Sequence, residues 1–137
     1  MTIGYAATVY MNINDVDLSD HVTEAKLDAG AEMIDITALG TDVGRVYNAG
    51  LKTNALNVTF QQDYAAAEVD ATLSPLLGAA AFAIIFRPTS GVIGAANPEW
   101  TGNWVLESYD PVGNRAGELM TATAVFKPAG AISRDTS

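Results

Sequence analysis

Two stretches of the chain alternate in side-chain character with a period of two, and this restricts the fold more than any other feature. In Val22–Glu32, one face carries Glu24, Lys26, Asp28 and Glu32, while Thr23, Ala25, Leu27, Ala29 and Ala31 fall on the other. In Leu51–Gln62, Leu56, Val58 and Phe60 oppose Thr53, Ala55, Asn57, Thr59 and Gln61. Successive side chains point to opposite sides only in an extended strand. Both segments therefore predict half-buried β-strands, each about 35 to 40 Å long from the rise per residue.

The remaining segments extend this pattern. Ala7–Ile13 places Ala7, Val9, Met11 and Ile13 on one side of a strand, and Asn14–Ser19 reads as a turn. Met33–Thr37 continues the first long strand after a bend near Gly30. Ala38–Gly50, with three glycines and no sustained period, predicts a long loop. A helix over about residues 65–77 follows, capped by Asp63, with Val69, Leu73, Leu76 and Leu77 on one stripe. Gly78 suits its end, and Pro75 distorts its last turn. Ala81–Arg87, Trp100–Tyr109 and Glu118–Lys127 are further strands, and the tail from Pro128 has no pattern. The expected fold is mainly β, an antiparallel β-sandwich or half-barrel with one flanking helix, in a single domain over 1–137.

Composition narrows the function. With 137 residues and no cysteine, disulfide scaffolds, thiolate metal sites and cysteine nucleophiles are excluded. Of the apolar residues 23 are alanine, which suits thin layers better than a thick interior. Sixteen acidic residues against seven basic ones give a charge of −9, with −6 of it in residues 1–50. Such a chain cannot neutralise phosphates as a nucleic-acid-wrapping protein does. No basic flank precedes an apolar run in the first fifteen residues, and the longest apolar run, Gly78–Phe86, is too short for a membrane helix.

The catalytic inventory is thin. His21 is the only histidine, and a partly exposed strand residue is its simplest reading. Asp15, Asp17 and Asp20 faintly echo a calcium loop, but Asp20 occupies the glycine position and Lys26 that of the closing glutamate. A solvated Asx-type turn explains them better. Glu24 and Asp28 would stand about 13 Å apart along a strand, beyond the roughly 5 to 10 Å of glycosidase pairs. Trp100 and Trp104 share a strand face, and core packing is the simpler account than ligand stacking. No catalytic, cofactor-binding or metal residue is assigned, no cofactor is implied, and no enzyme is expected.

Several segments are nevertheless familiar in their order: VDLSDHV at 16–22, ITALGTDVGRVYNAGLK at 36–52, NVTFQQDYAAAEVDATLSPLLG at 57–78 and IIFRPTSGVIGAANPEWTGNWVLESYDPVG at 84–113. Together they resemble the major tail tube protein of long-tailed bacteriophages, of the small single-domain type. The resemblance covers roughly Tyr10 to Arg134. It implies a structural virion protein, assembled in the bacterial host cytoplasm, whose copies form hexameric rings stacked into a tail tube. DNA would pass through as transient cargo, and a tape-measure protein, a baseplate-like initiator and a terminator would be the partners, with no membrane.

On that resemblance, Glu24, Lys26, Asp28, Glu32, Thr53, Asn57, Thr59 and Gln61 are candidates to face the lumen. Arg45, Val46, Tyr47 and Lys52 are candidates for contacts between rings, in a stacking loop over about 38–50. Residues 1–6 and 129–137 would be arms. The alternatives are another virion part, such as a joining, terminator or decoration protein, or a monomeric β-barrel binding module using Trp100 and Trp104.

Overall fold

The computed structural model describes residues 9–41, 43–112 and 116–136. Eight strands form one antiparallel sheet: β1 (Tyr10–Ile13), β2 (Val16–Asp17), β3 (Val22–Asp35), β4 (Tyr47–Gln61), β5 (Phe82–Arg87), β6 (Glu99–Tyr109), β7 (Thr121–Pro128) and β8 (Ser133–Asp135). Their order is β2-β1-β5-β6-β7-β4-β3, with β8 also on β6. The sheet carries one apolar core together with a single short helix, the mainly β, antiparallel architecture expected. Asn14 and Asp15, both with positive φ (50° and 67°), make the tight β1–β2 turn. Asn and Asp tolerate that conformation better than other side chains.

The core gathers one face of each central strand: Met11 and Ile13, Leu56, Val58 and Phe60, Phe82 and Ile84, Trp104 and Leu106, and Ala122, Ala124 and Phe126. Phe82 meets Phe126 edge-on at 5.9 Å between ring centroids. A short helix α1 (Val69–Leu73) closes one end with Val69 and Leu73 fully buried. Each large side chain so buried contributes roughly 1.5–3 kcal/mol. Of the inward-facing rows expected, Met11 and Ile13 of β1 and Leu56, Val58 and Phe60 of β4 are buried, while Val9 is partly exposed and Ala7 lies outside the described residues.

Four expectations need correction. The helix does not run over residues 65–77 but spans Val69–Leu73, followed by a 3₁₀ turn at Ser74–Leu76 that has Pro75 in its first turn. Ala67 adopts φ 63°, which interrupts any helix begun earlier, and Asp63 forms a local turn with the Ala65 N–H at 2.9 Å instead of a cap. Leu77 accordingly leaves the buried stripe and is half exposed. The loop expected at 38–50 runs over 36–46, because Tyr47–Ala49 pair with β3. The tail is not featureless: Ser133–Asp135 pair with Glu99–Thr101 of β6. Ile132 packs so closely there that a Cβ on Gly102 would stand 2.5 Å from its Cδ1. Finally, β3 is one strand with two irregularities, at Val22/Glu24 and Ala31/Met33. The first bulges out Thr23, so Val22 takes the core-facing place. The arm expected at residues 1–6 lies outside the described residues.

Candidate assembly surface

The paired strands β3 and β4 form a ribbon that outruns the rest of the sheet. β7 pairs with β4 only over Leu56–Gln61, so Tyr47–Ala55 have β3 as their sole partner. In the near half, Ala25 and Leu27 pair with Val58 and Leu56 and pack on the core. In the far half, Asp28–Asp35 are exposed throughout. Large apolar groups stand in solvent there, Met33 at 57%, Tyr47 at 55% and Leu51 at 78% exposure. At the loop tip Leu39 and Val43 are wholly exposed. Met33 and Tyr47 share one side of the ribbon, and large exposed apolar groups gathered in one region mark an interaction surface.

The ribbon's outer edge is equally open. Among the described residues, β3 ends the strand order and pairs with β4 alone, so one side of its fourteen-residue main chain has no strand beside it. Such an edge is a template for another strand.

Pairing brings the two polar rows predicted from sequence onto one face. Glu24 stands opposite Thr59, Lys26 opposite Asn57, and Gly30 opposite Thr53. β7 continues that face, with Thr121 opposite Gln61, Thr123 opposite Thr59 and Val125 opposite Asn57. The lysines on it are occupied: Lys26 Nζ lies 3.4 Å from Asp28 Oδ1, and Lys127 Nζ 3.8 Å from Glu107 Oε2. Glu32 lies on the same side of β3 beyond Gly30, where β4 gains an extra residue between Lys52 and Ala49. Gly50 sits in that bulge, and an added Cβ would press on Ile34 and Glu32 at 3.2–3.3 Å. The bulge brings two interface candidates to one side: Tyr47 pairs with Asp35 and Lys52 with Ala31, both on the side of β3 that carries Met33.

The base of the 36–46 loop is braced internally. Arg45 Nη1 donates to Asp35 Oδ2 at 2.9 Å, and the Thr37 N–H to Asp35 Oδ1 at 2.9 Å. The Val46 N–H donates to Thr37 Oγ1 at 2.8 Å. The hydrogen bonds from Thr37, with help from Arg45, hold the Asp35 carboxyl below its usual range. Arg45 and Val46 thus frame the loop, while its apolar tip residues, which the sequence reading passed over, are the exposed ones.

The remaining sequence candidates disperse. Asp17 Oδ1 accepts the Ser19 N–H at 2.9 Å as an Asx turn, and Asp20 turns to His21, so the three aspartates do not converge. His21 stands in a 3₁₀ turn, Ser19–His21, rather than in a strand. Its Nε2 is 3.0 Å from Asp63 Oδ2 and 3.5 Å from Glu68 Oε2. Burial lowers its pKa, but hydrogen bonds to Asp20 and Asp63 and the charges of Asp20 and Glu68 outweigh that and raise it. Trp104 is buried in the core at 2% exposure. Trp100 packs beside Phe86 with the Arg134 guanidinium over its ring. Neither offers an open stacking platform.

No protein-family model matches the chain, and no curated protein matches it. Solved structures do. A chain in the virion of the native gene transfer agent particle superposes with a TM-score of 0.77 at 13% identity, over 97% of this chain and 99% of that one. One in the tail of the empty particle, refined helically with C6 symmetry, gives 0.66 at 16%, over 84% and 82%. The SPP1 tail tube gives 0.73 at 10%, over 98% and 80%. The sheath/tube terminator of an extracellular contractile injection system gives 0.75 at 10%, over 98% of each chain. At such identities the shared property is the fold, and the chain has the fold of tail tube proteins.

Proposed function

We propose that the chain is a structural subunit of a phage-type tail tube, not an enzyme, and that its copies form stacked sixfold rings. The observation that carries this reading is the far half of the β3–β4 ribbon, apolar and uncovered beside an open strand edge, on a fold shared with tail tubes. The edge of β3 would extend a neighbour's sheet within a ring. The tip around Leu39 and Val43, with Tyr47 and its frame of Arg45 and Val46, would meet the next ring, and Lys52 the flank of a neighbour. Small side chains such as Ala29, Ala31 and Ala49 let adjoining sheets approach closely.

The polar face with Glu24, Lys26, Asp28, Glu32, Thr53, Asn57, Thr59 and Gln61 would line the lumen. Acidic and neutral groups there, with the lysines already paired, repel or ignore phosphate, as a conduit for DNA requires. The tape-measure protein, an initiator and a terminator would be the other partners, and the virion tail the place of residence. Negative-stain microscopy of the purified protein at high concentration, with and without tail fragments as seeds, tests this. Rings or tubes are expected; persistent monomers in both conditions would overturn it.

The likeness to a tube terminator favours a second reading in which the chain caps a tube. Copy number in purified particles separates the two. A tube subunit is among the most abundant bands and scales with tail length, whereas a terminator forms a single ring.

A further inference from the structure

Among the described residues, His21, Asp63 and Glu68 are brought together with one ligand atom each, all within 4.8 Å of one another. They come from separate elements: the turn before β3, the end of β4's exit and the residue preceding α1. The two measured separations, 3.0 Å and 3.5 Å from His21 Nε2, bracket the roughly 3.4 Å between ligands bound tetrahedrally at about 2.1 Å. The other ring nitrogen is already engaged, since Nδ1 is 2.8 Å from Asp20 Oδ1. A carboxylate on the far nitrogen is the arrangement that fixes the tautomer and orientation of a metal-binding histidine, leaving the opposite nitrogen's lone pair for the ion.

The division of labour at Asp63 fits as well. Its Oδ1 accepts the Ala65 N–H and keeps the carboxylate in place, while Oδ2 faces His21. In the ion-free subunit both ring nitrogens lie within hydrogen-bond distance of carboxylates, and an ion at Nε2 would take the place of the proton shared with Asp63. Asp63 and Glu68 would then neutralise the charge of the ion. The cluster is half-exposed, so an ion can reach it without opening the core.

We propose that His21, Asp63 and Glu68 form a binding site for a divalent transition-metal ion of the zinc type, with Asp20 as the positioning residue and water in the fourth place. Imidazole with carboxylates suits such ions better than calcium, which prefers six or more oxygens. A bound ion would staple the start of β3 to the segment leading into α1, locking the root of the ribbon to the core. This inference concerns the single subunit and stands apart from the proposed tube assembly.

The test is titration of the chelator-treated, purified protein with ZnCl₂ by calorimetry, and with CoCl₂ by visible absorption. The expected result is one ion per chain and a tetrahedral cobalt spectrum. Asp63→Asn and Glu68→Gln should abolish binding, Asp20→Asn should weaken it about 10–100-fold, and Asp28→Asn, on the other face, should leave it intact. Circular dichroism establishes that each variant is folded, and Glu68→Gln, at the partly exposed end of the cluster, stands in if Asp63→Asn unfolds. Absence of binding, an octahedral spectrum with no loss in either ligand variant, or equal loss in Asp28→Asn would each overturn the proposal.

Discussion

The near and far halves of the β3–β4 ribbon share strands, hydrogen-bond ladder and alternation, yet only one is covered. Near the sheet, Leu56, Val58 and Phe60 are almost fully buried against β7, β6 and α1. At the far end of β3, Met33 and Ile34 are about half exposed, at 57% and 46%. Backbone pairing differs as well, since Leu56–Gln61 of β4 pair with both β3 and β7 while the far half pairs with β3. The contrast in cover lies in what each apolar face meets. The near half meets its own chain; the far half carries apolar groups that no described residue buries, which the proposed assembly would cover.

Substitutions in the two halves should therefore separate stability from assembly. The largest effect on the subunit is expected from Phe60→Ala, which empties a core position and should cost about 3–5 kcal/mol, read by denaturant unfolding. A loss under 1 kcal/mol would mean the near half is less tightly packed than its burial indicates.

Tyr109 gives a milder probe of the same half. Its hydroxyl donates to Asp70 Oδ1 at 2.8 Å and accepts from Gln62 Nε2 at 3.0 Å, tying β6 to α1 and to the end of β4. Tyr109→Phe should cost about 1 kcal/mol. Burial, aided by the neighbouring Asp70 charge, pushes the phenol pKa up to about 12. A folded-state pKa raised above the ordinary 10 stabilises the fold fully below pH 10, and this contribution fades as pH climbs toward 12. Stability measured across that interval should fall in the parent and fall less in Tyr109→Phe.

The far half should behave oppositely. Leu51→Glu or Leu39→Glu should change unfolding free energy by less than about 0.5 kcal/mol while eliminating rings and tubes. A variant that unfolds would show the apolar groups serve the chain itself; one that still assembles would show they serve nothing at this surface. The smallest effect belongs to Asp35. Its carboxyl pKa lies below the usual value of 3.8, so its contribution is present above that pH and disappears as pH falls through the folded-state value. The change should be confined to the loop base, seen as acid-induced shifts of the Thr37 and Val46 amides in NMR spectra with the core resonances unmoved.

Much of this was written in the sequence. The alternation of β3 and β4, their core rows and the breaks at Gly78 and Pro75 all depend on neighbours a few residues apart, which periodicity registers. It also assigned each polar residue to a side of its own strand. Pairing register, which put Glu24 opposite Thr59, requires knowing how two strands slide, and the bulges at Thr23 and Gly50 move that register by a residue each. The alanine run before α1 has high helix propensity, but the turn stabilised by Asp63 and the left-handed Ala67 override it. β8 escaped because three polar residues carry no alternation. The His21 cluster was illegible for a simpler reason: Asp63 is 42 positions away, and only the fold joins them. Exposure of the far ribbon was hidden too, since an apolar period marks a face but not whether anything covers it.

Hydrogen–deuterium exchange on the free and assembled protein tests the central claim most directly. The account predicts that amides of Asp28–Asp35 and Tyr47–Thr53 exchange rapidly in the free subunit and become strongly protected on assembly, while those of Leu56–Phe60 are protected in both. Unchanged exchange over 28–35 and 47–53 in assembled particles would contradict it.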